Sequence, residues 1–291
     1  MGVSPVVLWF FSPAGNEPGS RACMNVHDNR INPVVIDNRI YSIVWRMPRG
    51  RNFQEEYMHM SKIGIIGAME LEVESLKSEM TVFKVEKKAG MEFFEGTLNG
   101  ADVVIVRSGV GKVNAALCVQ LLADLFQATH IINTGVAGSL NAKLDIGDIL
   151  ISTDALHHDM DATIFGYKPG EVPQMGLREF PADKHMAELA KAACEKANPD
   201  IHAYLGRVVS GDQFISSKEV KNHLIELYAG DCAEMEGAAI AHGAYLNEIP
   251  FVIIRAISDK ADDSSEMEYP VFEAAAAKHS AALVKEMVRS I

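Results

Sequence analysis

The sequence predicts one α/β domain over residues 61–291, in which helices cover both faces of a central, mixed β-sheet. Short apolar runs of strand length alternate with amphipathic stretches of helix length. An Asn99-Gly100 pair between two such runs indicates an antiparallel hairpin, which makes the sheet mixed. No repeat and no linker interrupts residues 61–291, so we expect a single domain.

The first predicted elements begin at residue 62. "KIGIIG" (62–67) is an apolar run that ends in glycine, which is typical of a buried strand. "MELEVESLKSEM" (69–80) has acids in its early turns and apolar residues at Leu71, Val73 and Leu76. This pattern predicts a helix whose dipole is favourably compensated.

The remaining segments continue the same alternation. Strands are predicted in the hairpin region 83–109 and in "HIINTG" (130–135), "GDILISTDAL" (147–156), "AYLGRVVSG" (203–211) and "PFVIIRAIS" (250–258). Helices are predicted in "KVNAALCVQLLADLF" (112–126), "DKHMAELAKAACEKA" (183–197), "KEVKNHLIELYA" (218–229) and "VFEAAAAKHSAALVKEMVRSI" (271–291).

Residues 1–60 differ from the rest in composition. They contain six arginines and no lysine, and their five acids leave a net charge of +1, although the whole chain carries −12. Prolines and glycines interrupt them, and no helical or alternating period persists. The run "VVLWFF" (6–11) follows no basic residue and is short for a signal-peptide core. We therefore predict a disordered leader over 1–60, ahead of the domain at 61–291.

Charge, hydropathy and cysteine usage exclude several functions. Nonspecific nucleic-acid binding needs clustered positive charge, which a net charge of −12 disfavours. No apolar run approaches the roughly 18 residues that span a bilayer. The four cysteines form no C-x-x-C pair, which argues against a cysteine-based zinc site and for reduced thiols in the cytoplasm. We expect no nucleic-acid partner, no membrane partner and no cofactor.

Two motifs that suggest ligand chemistry are incomplete. "GVGKVN" (109–114) has Val113 where a phosphate-binding P-loop needs Ser or Thr, and it lacks the third glycine of a dinucleotide site. "HHDMD" (157–161) offers metal-type ligands, but no group at matching spacing completes a metal set. We predict a structural or loop role for that cluster.

Carboxylates stand at the ends of several predicted strands. They are Glu72, Asp212, Glu234, Glu236 and Asp259. In open α/β sheets, ligands bind beyond the carboxyl ends of the strands, so we expect these acids to converge on one cleft. The competing interpretation is that each acid caps a helix and complements its dipole.

Seven segments stand in a fixed order along residues 61–291: "KIGIIGAMELEVESL", "SGVGKVNAAL", "IINTGVAGSL", "HHDMDATIFGY", "VVSGDQFI", "AEMEGAAIAH" and "VIIRAISDKAD". Together they resemble the 5′-methylthioadenosine/S-adenosylhomocysteine nucleosidase family. The resemblance implies a purine-nucleoside-phosphorylase-like fold, a homodimer and a cytoplasmic hydrolase of the N-glycosidic bond. Such an enzyme releases adenine and a 5-thio-substituted ribose and serves methionine salvage.

The resemblance also implies a catalytic pair. Asp259 is expected to protonate adenine N7, and Glu72 to position and deprotonate the attacking water. Ser258 is expected to orient Asp259, and Arg255 to help hold the water. Inverting glycosidases likewise use one carboxyl group as the acid and a second as the base, although their leaving group is an oxygen and not a nitrogen.

Substrate-binding residues follow by the same resemblance. Glu236 is expected to bind the ribose hydroxyls, with Met235 packed against the sugar and Glu234 as a supporting acid. Phe214 is expected to stack on adenine, and the main chain of Ile215 to read the base edge. Ordinary core packing is the competing interpretation for the apolar members of this set.

The 5′-thio substituent is expected in a slot lined by Met69, Val110 and Tyr269. Phe165 and Pro173 match positions that the family supplies from the partner subunit. Tyr269 stands where some relatives carry phenylalanine, and Val136 where some carry serine. The first difference could change which 5′ substituents fit, and the second removes a hydroxyl near the reaction centre.

Other functions on the same fold stay open at this point. A nucleoside phosphorylase needs cationic side chains for phosphate, but Asn133 stands where phosphorylases carry arginine and Glu72 would repel phosphate. A noncatalytic nucleoside-binding protein would not need both Glu72 and Asp259. AMP nucleosidase needs a cation at the 5′ end, and a futalosine-type nucleosidase is a further alternative. The sequence does not rank methylthioadenosine, S-adenosylhomocysteine, 5′-deoxyadenosine and aminodeoxyfutalosine as substrates.

Overall fold

The computed structural model describes residues 61–291. Within residues 1–60 it describes only the backbone of two short strands, β1 (Val35–Ile36) and β2 (Arg39–Ile40), which pair antiparallel. Apart from these strands, the predicted leader lies outside the described residues, and its prediction is not tested.

Ten strands of the described domain form one mixed sheet. They are β3 (Lys62–Gly67), β4 (Thr81–Lys88), β5 (Met91–Leu98), β6 (Ala101–Arg107), β7 (His130–Ser139), β8 (Ile149–His157), β9 (Phe180–Pro181), β10 (Ala203–Ser210), β11 (Cys232–Glu234) and β12 (Phe251–Asp259). Their order is β11-β10-β8-β12-β7-β3-β6-β5-β4, with β9 paired to β8. The β3, β6, β7 and β12 pairings are parallel where these strands meet, whereas the β4, β5 and β6 pairings are antiparallel. The predicted mixed sheet is confirmed.

Part of this sheet closes on itself. Strand β11 pairs in parallel with β10 and also antiparallel with β7, so that β7, β12, β8, β10 and β11 form a ring. The strands outside this ring continue from β7 through β3 and β6 to the hairpin of β4 and β5. The ring brings the ends of β7, β11 and β12 together, and these ends position the candidate site.

The predicted hairpin at Asn99-Gly100 is confirmed. Asn99 (φ 52°) and Gly100 (φ 91°) join β5 to β6 with positive φ at both turn positions, as a type I′ turn requires. A second hairpin, between β4 and β5, turns at Ala89 (φ 49°) and Gly90 (φ 77°).

Six helices cover the sheet of the described domain. They are α1 (Glu70–Glu79), α2 (Lys112–Phe126), α3 (Lys184–Ala197), α4 (Lys218–Tyr228), α5 (Gly237–Leu246) and α6 (Ser265–Met287). The sequence predicts the bounds of α2 as the structure has them. It does not predict α5, and it begins α6 at Val271, whereas the helix begins at Ser265 and continues through Pro270.

Successive side chains of the central strands point alternately to the two faces of the sheet. In β3, Ile63 and Ile65 are buried with α1, α3 and α6, and Ile66 is buried on the other face with α2 and α5. This two-sided burial explains why the strands read as continuous apolar runs. No helix among the described residues is both long and apolar enough to cross a membrane.

Candidate active site

A cavity lies beyond the carboxyl ends of β3, β7, β11 and β12, where the sequence predicts a cleft. Ten of the fourteen predicted site residues line it: Met69, Glu72, Val110, Phe214, Glu234, Met235, Glu236, Ser258, Asp259 and Tyr269. The other lining residues are Ala68, Val136, Ala137, Gly138 and Ala233. The structure therefore brings the predicted acids together, with the exception of Asp212.

Glu72 is fixed by three backbone N–H groups. Its Oε2 accepts from Ala68 N at 2.6 Å and from Met69 N at 2.9 Å, and its Oε1 accepts from Val136 N at 3.1 Å. Burial raises the pKa of the Glu72 carboxyl, and the Arg255 guanidinium and the backbone N–H groups offset only part of this rise. Glu72 thus caps the start of α1 and lines the cavity with the same carboxylate.

Glu234 and Arg255 form a buried ion pair. Arg255 Nη2 lies 2.5 Å from Glu234 Oε2 and 2.5 Å from Asn133 Oδ1, and Asn133 Nδ2 donates to Ile66 O at 3.0 Å. Burial alone would raise the pKa of Glu234, but Arg255, Ser210 and the Gly237 N–H outweigh it and lower that pKa. Arg255 does not line the cavity. It lies behind the cavity wall, where its charge acts on both Glu72 and Glu236.

Glu236 stands at the first position before α5 but does not cap that helix. Its Oε1 accepts from Gly111 N, which directly precedes α2, at 2.7 Å. Burial, followed by the neighbouring Glu234 charge, raises the pKa of Glu236 to about 8, although Arg255 and the Gly111 N–H oppose the rise. Glu234 takes the capping role instead, because its Oε2 accepts from Gly237 N at 2.8 Å.

Asp259 is the last residue of β12 and is 2% exposed. A register shift between Ile257 and Asp259 interrupts the pairing with β7, and such irregularities re-aim side chains near sites. Asp259 Oδ2 accepts from Ser258 Oγ at 2.9 Å, and Oδ1 accepts from Ala261 N at 2.8 Å. Ser258 thus contacts Asp259 as the sequence analysis expects of an orienting residue.

The apolar side of the cavity is formed by aromatic and thioether side chains. The rings of Phe214 and Tyr269 meet edge to face with centroids 5.5 Å apart, and Tyr269 Oη lies 3.5 Å from Met69 Sδ. Phe214 is 49% exposed and Val110 is 48% exposed, so this side is open. Ile215 does not line the cavity and is buried with Leu156 and Val209.

Phe165 and Pro173 do not line the cavity of this chain. Phe165 ends a short 3-10 turn (Thr163–Phe165), and its side chain is 81% exposed. Pro173 is partly exposed in the segment that follows.

Asp212 belongs to a cluster outside the cavity, which we call the loop clamp (Lys112, Asp159 and Asp212). Asp212 Oδ1 accepts from Lys112 N at 2.8 Å, and Asp212 N donates to Asp159 Oδ2 at 3.1 Å. Lys112 Nζ closes the cycle with Asp159 Oδ1 at 2.5 Å. Among the residues that the structure describes, no group of three or more His, Cys, Asp or Glu side chains is arranged to hold a metal ion.

The residues that sequence reasoning missed are small or act through the backbone. Ala68, Ala137, Gly138 and Ala233 contribute wall without distinctive side chains, and Gly111 contributes an N–H. Residue type gives no signal for such contributions. The position of "GVAG" (135–138) at the end of a predicted strand was the available signal for Gly138.

The mixed sheet and the acid-lined cavity at its strand ends are typical of an α/β enzyme, and the family model described as the phosphorylase superfamily matches residues 62–289. A 5′-methylthioadenosine/S-adenosylhomocysteine nucleosidase of Staphylococcus haemolyticus is 41% identical over 231 residues, which are 78% of this chain and 99% of the relative. The chain belongs to the phosphorylase superfamily and, within it, to the 5′-methylthioadenosine/S-adenosylhomocysteine nucleosidases.

Solved structures of nucleosidases and of a related hydrolase share this fold. The nucleosidase of that family from Colwellia psychrerythraea, in complex with adenine, has a TM-score of 0.76 and 39% identity and covers 79% of this chain and 96% of its own. A futalosine hydrolase of Helicobacter pylori also has a TM-score of 0.76, with 30% identity, and covers 80% of this chain and all of its own. The predicted fold class and family are confirmed.

Proposed function

We propose that the protein hydrolyses the N-glycosidic bond of 5′-methylthioadenosine and S-adenosylhomocysteine, and also of 5′-deoxyadenosine, in methionine salvage. The observation that carries this proposal is the composition of the cavity. Four carboxylates line it, and the lining residues within 61–291 include no lysine or arginine. Phosphate would be repelled there, whereas a neutral nucleoside and a water molecule find acceptors. This argues for hydrolysis and against phosphorolysis.

The proposed reaction uses Asp259 and Glu72 in turn. Asp259 donates a proton to adenine N7, so that the base leaves with the electrons of the glycosidic bond and the sugar becomes oxocarbenium-like. Glu72 accepts a proton from water as the oxygen attacks C1′ of the sugar, following the logic of two-carboxylate glycosidases. Because three N–H groups fix the Glu72 carboxylate, the water would meet a base that is already oriented.

Substrate binding is proposed for the residues around this pair. Glu236 would hold the ribose hydroxyls beside Met235, because hydrogen bonds are stronger in a buried site than in water. Phe214 would stack on adenine, and the Ile215 main chain would bind the base edge.

Arg255 is proposed to act on the water indirectly. It keeps Glu234 ionised and partly offsets the cost of ionising Glu72, which favours the form of Glu72 that accepts a proton. Glu234 would remain a supporting acid.

We also propose that the active form is a cytoplasmic homodimer. Phe165 and Pro173 would complete the 5′ slot of the partner, next to Met69, Val110 and Tyr269. Apolar side chains exposed outside the cavity support this proposal: Val113, Leu117, Ile164, Tyr245 and Leu246. Val113 and Leu117 lie on α2, and Tyr245 and Leu246 lie on α5, which packs against α2; a contiguous exposed apolar patch marks a protein interface.

The test is adenine release from 5′-methylthioadenosine in phosphate-free buffer, by wild-type protein and by Asp259→Asn and Glu72→Gln. Wild type should give free 5-methylthioribose at a rate that added phosphate does not change. Each variant should lose about 10²- to 10⁴-fold in kcat, because positioned acid–base groups contribute roughly that much. The exposed Asp145→Asn serves as the control and should keep wild-type kcat. A sugar 1-phosphate as product, or wild-type kcat in a folded Asp259→Asn, would refute the proposal.

A further inference from the structure

We propose that Gly135 is a positioning residue of the active site: the space left by its missing side chain is occupied by the Glu72 carboxylate, which lies there beside Arg255. The effect of Gly135 on catalysis rests on the proposed hydrolysis, whereas the close contact between Gly135 and Glu72 does not depend on it. Gly135 lies in β7, does not line the cavity and belongs to none of the residues that the sequence predicts for the site.

The contact is too close for any side chain. A Cβ atom added to Gly135 would lie 2.5 Å from Glu72 Oε1, 3.0 Å from Glu72 Cδ and 3.0 Å from Arg255 Nη1. Glu72 Oε1 also accepts from Val136 N, so the carboxylate lies directly over the backbone at the point where the methyl group would project. An alanine at position 135 must therefore displace the carboxylate.

Backbone conformation does not explain this glycine. Gly135 is absent from the described glycines with positive φ, so an L-amino acid could adopt its conformation. Glycine inside a strand weakens the strand, and it often marks a close approach of another group. The close approach at Gly135 is that of Glu72 and Arg255.

The surroundings leave the carboxylate little freedom to move. Glu72 is held by three N–H groups, and Arg255 is held by Glu234 and Asn133. Both side chains are more than nine-tenths buried. A methyl group would therefore shift the proposed base relative to the water, and misplacement by about 1 Å can cost about 10²-fold in rate.

A second glycine of β7 serves the other carboxylate in a similar way. A Cβ atom added to Gly138 would lie 2.8 Å from Asp259 Oδ1 and 2.8 Å from Ala261 Cβ. Each proposed catalytic carboxylate thus has a glycine of the same strand against it. Gly138→Ala therefore serves as a matched variant that disturbs Asp259 and not Glu72.

The experiment is a double-mutant cycle read by chemical unfolding, which needs no substrate. Gly135→Ala should lower the unfolding midpoint in wild-type protein and much less in a Glu72→Ala background, because the clashing carboxylate is then gone. Gly138→Ala should lower the midpoint equally in both backgrounds. Gly206→Ala is the control, because its methyl group would meet the Asp231 carboxylate outside the cavity. It should lower the unfolding midpoint by the same amount in the wild-type and Glu72→Ala backgrounds.

The same variants are then assayed with 5′-methylthioadenosine and adenine. Gly135→Ala should lose about 10²-fold in kcat while keeping its affinity for adenine, and Gly206→Ala should keep kcat. Wild-type kcat in Gly135→Ala, or equal destabilisation in both backgrounds, would overturn the proposal. If Gly135→Ala does not fold, recovery of folding by Glu72→Ala supports the proposal and failure to recover overturns it. If the wild-type protein released no adenine, the proposed hydrolysis would be refuted. The unfolding cycle would still decide whether Gly135 contacts the Glu72 carboxylate as proposed.

Discussion

The carboxylates of the cavity divide the tasks of capping and ligand binding in a way that their sequence positions do not show. Glu72 and Glu236 both stand near the start of a helix, but only Glu72 accepts hydrogen bonds from the start of its own helix. Glu234, three positions before the first residue of α5, caps α5 in place of Glu236. Glu236 is thereby left with one backbone donor, Gly111 N, and free acceptor capacity for a ligand.

Replacing Glu236 with Gln should remove a pH dependence of stability. Burial and the Glu234 charge raise the pKa of Glu236 from 4.5 to about 8, so between these values the folded protein holds a proton that the unfolded chain releases. The stability that this proton contributes is complete below about pH 4.5 and is lost as the pH rises through about 8. The Tm of wild type should therefore fall relative to that of Glu236→Gln as the pH increases across this window. The exposed Glu226→Gln is the control, and parallel Tm curves for wild type and Glu236→Gln would contradict the prediction.

The acids at strand ends predicted the carboxylates of the cavity wall, and Glu72, Glu234, Glu236 and Asp259 all reach the cavity. The other predicted wall residues, such as Phe214 and Tyr269, followed from the family resemblance and not from a local pattern. Asp212 carries the same signal and lies outside, because the register of its loop directs it to the start of α2. The place of Arg255 behind the wall depends on long-range pairing with Glu234, which no local pattern encodes.

Among the helices, the strength of the amphipathic signal decided what could be predicted. Helix α2 buries Ala115, Cys118, Val119, Leu122 and Phe126 at helical spacing, and its bounds follow from the sequence. Helix α5 reads "GAAIAHGAYL" and is buried over most of its length, so its small apolar residues show no polar face. The sequence predicts that helix α6 begins after Pro270, at Val271. In the structure, residues 265–269 already form the first turns of this helix.

Removing the Asp212 carboxylate should loosen the start of α2. Asp212→Ala deprives Lys112 N of its acceptor, and loss of a capping carboxylate costs about 1 kcal/mol in the free energy of unfolding. Because Gly111 N, the donor to Glu236, is the adjacent N–H, KM for 5′-methylthioadenosine should rise more than kcat falls. Chemical unfolding and steady-state kinetics measure both effects. Asp200→Ala, at an exposed loop position, is the control, and an unchanged KM in Asp212→Ala would show that the loop clamp does not support the ribose site.

At the scale of the molecule, residues 61–291 form the α/β domain, and the family model matches residues 62–289. The assignment of residues 1–60 to a separate leader is a proposal that rests on their composition and on the start of the family match at residue 62. The sequence could not predict the ring of β7, β12, β8, β10 and β11, because the pairing of β11 with β7 joins segments nearly a hundred residues apart.

A chain that begins at Met60 should keep the kcat, the KM and the unfolding midpoint of the full-length protein. The physical reason is that residues 1–60 show no period that could build a core of their own. The two proteins are compared by adenine release and by chemical unfolding under identical conditions. A large loss of activity or of stability in the shorter chain would assign residues 1–60 to the working enzyme.

The ring of strands also determines where this protein is vulnerable to aggregation. Each of the five ring strands has a partner on both sides, so none offers a free backbone edge to another molecule. The opposite end of the sheet finishes at β4, whose outer edge has no partner among the described strands and whose Phe83 is 67% exposed. Lys84, Lys87 and Lys88 lie on this strand, and charged side chains on an edge oppose the addition of further strands. Chemical modification that neutralises these lysines would therefore be expected to turn the edge into a template for fibril-like growth.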